Sequence, residues 1–262
     1  MGYTEYSMME GRRTLVKDLY TAARHLYMEA FKGEDPAFVD ALFALGFPKH
    51  FVAVGDGGKL VSMLFSLPYP ILTADGVMQA RYLYAVATAA EYRGKGYAKQ
   101  LLREVASRGE PVFLRPMSPS LFDFYKSAGF TPFSPYATIT GKASTPPSLA
   151  KSEIRSLCED EYLSARDLFL SPPYCRMTPA FLKLCFSVGG AIGLDGHFAA
   201  LYEKQGSTVL FKEWFGDHGF LGEAAAFLGA TDFKARFPQK DGAPFGVGVG
   251  IPEGTVFLSA LD

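Results

Sequence analysis

The sequence predicts a mixed α/β fold, an α+β arrangement around a mixed sheet, laid out as two successive units. Three observations predict it. Segments with apolar residues at helical spacing alternate with short apolar runs of strand length. A basic, glycine-containing loop, Tyr92-Arg93-Gly94-Lys95-Gly96, stands between a strand-like run and an amphipathic helix. A Ser/Thr/Pro-rich stretch, Gly141–Ala150, separates two halves with a similar order of elements.

Taken in order, Asp18–Phe31 and Pro36–Leu45 read as helices. Leu19, Ala22, Ala23, Leu26, Tyr27 and Ala30 form one apolar face. Asp35-Pro36 suits the start of the second helix, with Asp as the cap and Pro in the first turn, and Gly46 suits its end. His50–Val54 and Leu60–Leu67 flank the turn cluster Gly55-Asp56-Gly57-Gly58, the pattern of a β-hairpin. Val77–Thr88 reads as a strand pair or one bent strand. Tyr97–Arg108 is an amphipathic helix with Ala98, Leu101, Leu102 and Val105 on one face. Pro111–Leu114 is a short strand, Ser120–Ala128 a helix closed by Gly129, and Thr131–Thr140 a strand.

The second half repeats this order more loosely. Glu161–Leu170 and Thr178–Ser187 read as helices; Ala191–Leu194, His197–Glu203 and Thr208–Trp214 read as strands. Gly219–Leu228 reads as a helix, Thr231–Phe237 as a strand and Phe245–Gly250 as a last, Gly-rich strand. The domain boundaries expected from this are 1–142 and 143–262.

A chain of 262 residues accommodates two domains, and 48% hydrophobic residues supply their cores. Lys plus Arg (26) nearly balances Asp plus Glu (27), a formal net charge of −1. Such a chain has no overall field to draw in nucleic acid or anionic membrane, so neither is expected as a partner. Cys158, Cys175 and Cys185 are irregularly spaced and odd in number, and His25, His50, His197 and His218 are scattered. This is neither a disulfide framework nor a zinc pattern, so no metal is expected. The N-terminus carries Glu5, Glu10, Arg12 and Arg13 before any apolar run. With no signal-peptide core and no run of about 18 apolar residues, a soluble cytoplasmic protein is expected. Homo-oligomerisation is left open.

Chemistry concentrates in Val86–Ala98. A strand enters a two-glycine loop that opens a helix. Unpaired N–H groups and the helix dipole make such a place an anion site. Gly94 and Gly96 allow close backbone approach, and Arg93 and Lys95 add full charges. The frame is neither a P-loop nor a dinucleotide fingerprint. Taken alone, a short Gly-Lys-Gly favours the plainer reading, a basic turn that merely starts a helix.

On these residues the sequence resembles the GNAT N-acyltransferase family, whose signature is Gln/Arg-x-x-Gly-x-Gly/Ala. Arg93, Gly96 and Ala98 occupy those places. The resemblance implies the GNAT acyl-CoA N-acyltransferase fold and acetyl-CoA as cosubstrate. Val86, Ala87 and Thr88 would then hold pantetheine, and Arg93, Gly94, Lys95, Gly96, Tyr97 and Ala98 the pyrophosphate. Leu121-Phe122-Asp123-Phe124-Tyr125-Lys126-Ser127-Ala128-Gly129-Phe130 resembles the family's Phe-Tyr…Gly-Phe helix end, which implies Tyr125 as the proton donor to the departing thiolate. Taken alone, that segment is core packing with a glycine stop. The family's Asn before this helix is replaced here by Met117-Ser118-Pro119-Ser120, where Ser118 or Ser120 would stand in.

The implied activity is transfer of an acetyl group to a primary amine of a small molecule or peptide. The rival readings are a CoA-responsive regulatory module and a fold that has lost CoA binding. No base is readable: Arg81–Ala85 lacks the family's Glu. Glu29, Glu91 and Glu213 read as surface charges. In the second half, Gly216-Asp217-His218-Gly219-Phe220 stands where a phosphate loop would be. Its acidity disfavours pyrophosphate. That half reads as a smaller, degenerate GNAT-like domain or another α+β domain.

Overall fold

The computed structural model describes residues 18–144 and 153–258. In chain order its elements are α1 (Leu19–Ala30), α2 (Pro36–Gly46), β1 (Phe51–Asp56), β2 (Lys59–Pro68), β3 (Ile71–Thr73), β4 (Gly76–Met78), β5 (Arg81–Thr88), α3 (Tyr97–Ala106), β6 (Val112–Leu114), α4 (Leu121–Ser127) and β7 (Thr131–Lys142). There follow β8 (Arg155–Leu157), α5 (Glu159–Leu168), β9 (Tyr174–Cys175), α6 (Pro179–Val188), β10 (Gly189–Leu194), β11 (Phe198–Gln205), β12 (Thr208–Gly216), α7 (Leu221–Phe227), β13 (Asp232–Pro238) and β14 (Ala243–Val249). The chain divides into two compact units, and each draws on both halves of the sequence. The first contains Met1–Pro70, Gln79–Pro132 and Gly246–Ile251; the second contains Ile71–Met78, Phe133–Phe245 and Pro252–Asp262.

In the first unit β1, β2 and β5 form an antiparallel run, and β5 then pairs parallel with β6. Val247–Val249 of β14 pair antiparallel with β6. The helices form for the local reasons their sequences suggest. Asp35 caps α2 by accepting from Ala37 N–H at 2.8 Å, with Pro36 in the first turn. Gly46 ends that helix for a packing reason: a Cβ there would lie 2.5 Å from the Phe65 ring. On one face of the sheet Leu101, Leu102 and Val105 of α3 pack with Leu64, Leu83, Val112 and Tyr125. The other face carries α1 and α2, with Tyr27, Phe43 and Phe65 in edge-on aromatic contacts.

In the second unit the strand order is β8-β10-β11-β12-β13-β7, and β12 and β13 are the parallel pair. A separate small sheet joins β4, β3 and β9. The run α5, α6, β10, β11, β12, α7, β13 has the same order as α1, α2, β1, β2, β5, α3, β6. In both units the strand before the crossover helix carries a bulge against its antiparallel neighbour. Trp214 and Phe198, stacked at 4.4 Å, centre the second unit's core.

Three expectations change. Val77–Thr88 is neither a single strand nor a pair within one domain: β4 belongs to the second unit and β5 to the first. The stretch from Gly141 does not begin as a linker, because β7 continues to Lys142 and Ser144 N–H bonds Gly222 C=O at 3.0 Å. The rest of that stretch, residues 145–150, lies outside the described residues. The final Gly-rich strand divides, with Gly246–Ile251 in the first unit.

Candidate functional site

The site is built on the C-terminal half of β5. Its ladder with β6 runs through Arg81↔Val112 and Tyr82↔Phe113 and stops. The two strands therefore part beyond Tyr82. On its other edge β5 pairs Tyr84 with Phe65 and Ala87 with Met63, so Ala85 and Val86 together oppose Leu64. Ala85 has φ 55°, the left-handed conformation of a bulge. The Cβ of an L-residue makes such a φ costly, and the ladder with β2 on both sides of the bulge holds it.

Beyond the bulge, Ser62 of β2 ties down the strand end. Its buried hydroxyl donates to Ala87 C=O at 2.8 Å and accepts from the Thr88 hydroxyl at 2.9 Å. Arg93 folds back, its Nε donating to Thr88 C=O at 3.1 Å. Of the expected pantetheine contacts, Val86 is half-buried and packs against the cluster that contains Tyr125. The Ala87 carbonyl and the Thr88 hydroxyl and carbonyl have protein partners.

The chain then makes a 3-10 turn over Ala90–Tyr92 and enters the loop. Gly94 and Gly96 have φ of 75° and 88°, which L-residues adopt at a cost, and a Cβ on either would meet open space. Gly96 is the cap residue of α3 and has no side chain to offer, and the first turn has no acidic residue. Helix geometry leaves the N–H groups of Tyr97, Ala98 and Lys99 without intrahelical acceptors. By contrast, Asp18, Asp35 and Thr178 cap α1, α2 and α6 with side-chain oxygens. Arg93 and Lys95 are exposed beside this open helix start. Lys95 Nζ sits 4.9 Å from the centroid of the Tyr92 ring, which meets Tyr97 edge-on. The Tyr97 hydroxyl donates to Asp56 at 3.4 Å. An uncapped helix start, two left-handed glycines and two cations suit a diphosphate.

Tyr125 is 7% exposed, with its ring edge-on to Phe124 and Phe130. Burial pushes its phenol up to about 12. It is therefore protonated at neutral pH and able to donate. The Ser118 and Ser120 hydroxyls bond each other at 2.8 Å, and Ser120 is exposed at the start of α4 without capping it.

The conserved-domain model for the acetyltransferase (GNAT) domain matches residues 12–133. The chain carries a GNAT acetyltransferase domain. The GNAT fold recurs in solved structures. GCN5-related N-acetyltransferases of Kribbella flavida and Anabaena variabilis superpose with TM-scores of 0.64 and 0.65 at 14% and 15% identity, covering 85% and 87% of this chain. Eis1 of Mycobacterium abscessus does so with a TM-score of 0.58 at 11% identity over 85% of this chain. The chain spans 62%, 66% and 64% of the length of those three proteins. Among curated proteins, none matches it in sequence.

The GNAT domain contains polar groups that the linear sequence did not single out. Ser62 acts on Thr88 only because of strand register. The Tyr27 and Tyr84 hydroxyls meet at 3.3 Å across α1 and β5. Glu29 and Glu91 are exposed as expected. Glu213 is not: in the second unit it is fully buried, held by Arg166 Nε at 2.9 Å and by the Tyr162 hydroxyl at 2.5 Å. A carboxylate reads as a surface charge unless its partner is known, and Arg166 lies 47 residues away. Among the described residues no helix is long and apolar enough to cross a membrane.

Proposed function

We propose that the first unit binds acetyl-CoA and catalyses acetyl transfer to a primary amine of a small molecule or peptide. The observation that carries this is the uncapped start of α3 at Gly96, reached from a bulged strand that has parted from its parallel neighbour. The loop from Arg93 to Ala98 would receive the pyrophosphate, and the edge of β5 at Val86–Thr88 the pantetheine arm. Bound acetyl-CoA supplies an activated acyl thioester. In the balanced reaction the nitrogen of an alkylammonium loses two protons and gains the acetyl group, the C–S bond breaks, and the thiolate takes up one proton.

Tyr125 would supply that last proton, or hold the sulfur by a hydrogen bond. A phenol at about 12 is a weaker acid than a free thiol near 8.5. This favours a hydrogen bond that strengthens as charge builds on sulfur over an early, complete transfer. The main-chain N–H groups at the β5 bulge would polarise the carbonyl.

The second unit reads as a degenerate GNAT-like repeat. Its element order, parallel pair and bulge support that reading. Asp217, which caps the 3-10 turn before α7, and Glu223 in the first turn of α7 make that loop acidic and disfavour a phosphate there.

Titration calorimetry with CoA tests the proposal, followed by thiol release from acetyl-CoA with a panel of amines. Failure of CoA to bind would end it. Binding without turnover would favour a CoA-responsive regulatory module.

A further inference from the structure

Between Leu60 and Leu67 the strand β2 is apolar except for Ser62 and Ser66, and Ser62 is fully buried. A hydroxyl in such a place costs free energy unless it is hydrogen-bonded. Both bonds of the Ser62 hydroxyl go to the last two residues of β5. It donates to the Ala87 carbonyl at 2.8 Å and meets the Thr88 hydroxyl at 2.9 Å. Ser62 and Thr88 are direct cross-strand partners, the arrangement in which serine and threonine hydroxyls pair.

These bonds have a consequence on the opposite edge of β5. In a trans peptide the C=O and the following N–H point in opposite directions. The Ala87 carbonyl points at β2, so the Thr88 N–H points away from β2, to the side where β5 has parted from β6. The same strand end is the origin of the glycine loop. Ala89 N–H bonds the Val61 carbonyl at 3.0 Å, Tyr92 N–H bonds the Ala89 carbonyl at 2.9 Å, and Arg93 Nε returns to the Thr88 carbonyl at 3.1 Å. The turn from Thr88 to Arg93 is thus closed on itself and anchored to β2. The side chain that fixes its first peptide is Ser62.

We propose that Ser62 is a positioning residue of the CoA site. It turns the last peptide of β5 so that the Thr88 N–H meets the pantetheine arm, and it sets the point from which the Arg93–Ala98 loop starts. The Thr88 hydroxyl serves this frame, bonded inward to Ser62 and not to the cofactor. This rests on the acetyltransferase reading.

The test is calorimetric titration of the full chain with CoA, at a temperature where circular dichroism shows each variant folded. There a residue that contributes stability alone leaves the affinity unchanged. Ser62→Ala should weaken CoA binding about tenfold, and Thr88→Val, which removes a hydroxyl and keeps the shape, about threefold or more. Thr88→Ser retains the hydroxyl and should bind as the unaltered protein does. Ser66→Ala, at a buried serine of the same strand outside this network, should leave the affinity unchanged whatever it costs in stability. The double variant Ser62→Ala with Thr88→Val should lose clearly less than the two single losses combined, because both remove one interaction. Unchanged CoA affinity in folded Ser62→Ala would overturn the proposal. So would independent losses in the double variant, which would make the Thr88 hydroxyl a ligand in its own right. If Ser62→Ala does not fold, Thr88→Val at its half-buried position decides alone: unchanged affinity there overturns the proposal. An unaltered protein that binds no CoA would instead remove the acetyltransferase reading, and this proposal with it.

Discussion

The Asp217 carboxylate accepts a hydrogen bond of 2.8 Å from the Gly219 N–H. In the second unit this carboxylate caps the 3-10 turn His218–Phe220 that leads into α7, and Glu223 adds an acidic group to the first turn of that helix, whereas the first turn of α3 after Gly96 has none. An acidic group already bonded to the loop's own amide excludes a second anion by charge and by occupation. The expected stoichiometry is therefore one CoA per chain. Calorimetric titration giving two equivalent sites would contradict the distinction between the units.

Gly96→Glu should weaken CoA binding by at least about tenfold. The substitution places a like charge beside the diphosphate and forces an L-residue into φ 88°, which costs about 1–2 kcal/mol. Gly96→Ala separates the two effects: it keeps the backbone cost without the charge and should weaken binding less. Equal CoA affinity in all three proteins would remove the loop from the site.

Tyr125→Phe should lower turnover about 10²-fold, the scale of a lost proton donor, with CoA affinity little changed. The ring and its contacts with Phe124 and Phe130 remain. Steady-state kinetics together with a thermal melt decide this: activity retained with reduced stability would assign Tyr125 to packing alone.

The same phenol makes a prediction about pH. Its folded value, about 12, exceeds the value near 10 of an exposed tyrosine. The folded state therefore holds the proton more tightly. Its contribution is complete below pH 10 and is lost as pH rises through 12, a loss of about 3 kcal/mol. Denaturant melts between pH 9 and about 12 should show stability falling with pH, and Tyr125→Phe should make that fall shallower. An identical slope in the variant would show that the phenol is not buried in solution.

Glu213→Ala should destabilise the protein by about 3–5 kcal/mol, because it leaves the Arg166 guanidinium charged and buried without its carboxylate. The double change Arg166→Met with Glu213→Leu should recover much of that loss. Equilibrium unfolding checks both; a mild Glu213→Ala phenotype would mean that the pair is solvated.

What the sequence determined by itself is local. Helix starts at Asp35 and Gly96, the left-handed glycines of the loop and the apolar stripe of α3 depend on residues a few positions apart. Short-range backbone and side-chain rules therefore reach them. The resemblance carried by Arg93, Gly96, Ala98 and Tyr125 extended this to a fold that the domain match and the solved structures bear out. Only the tertiary structure decided the rest. Register placed Ser62 against Thr88 across 26 positions, and α1 packing brought Tyr27 to Tyr84 across 57. The same is true of the pair Arg166–Glu213, and of Val247–Val249 on the edge of β6. A buried charge or an edge strand is stable only with its partner, and no periodicity along the chain names a partner that distant.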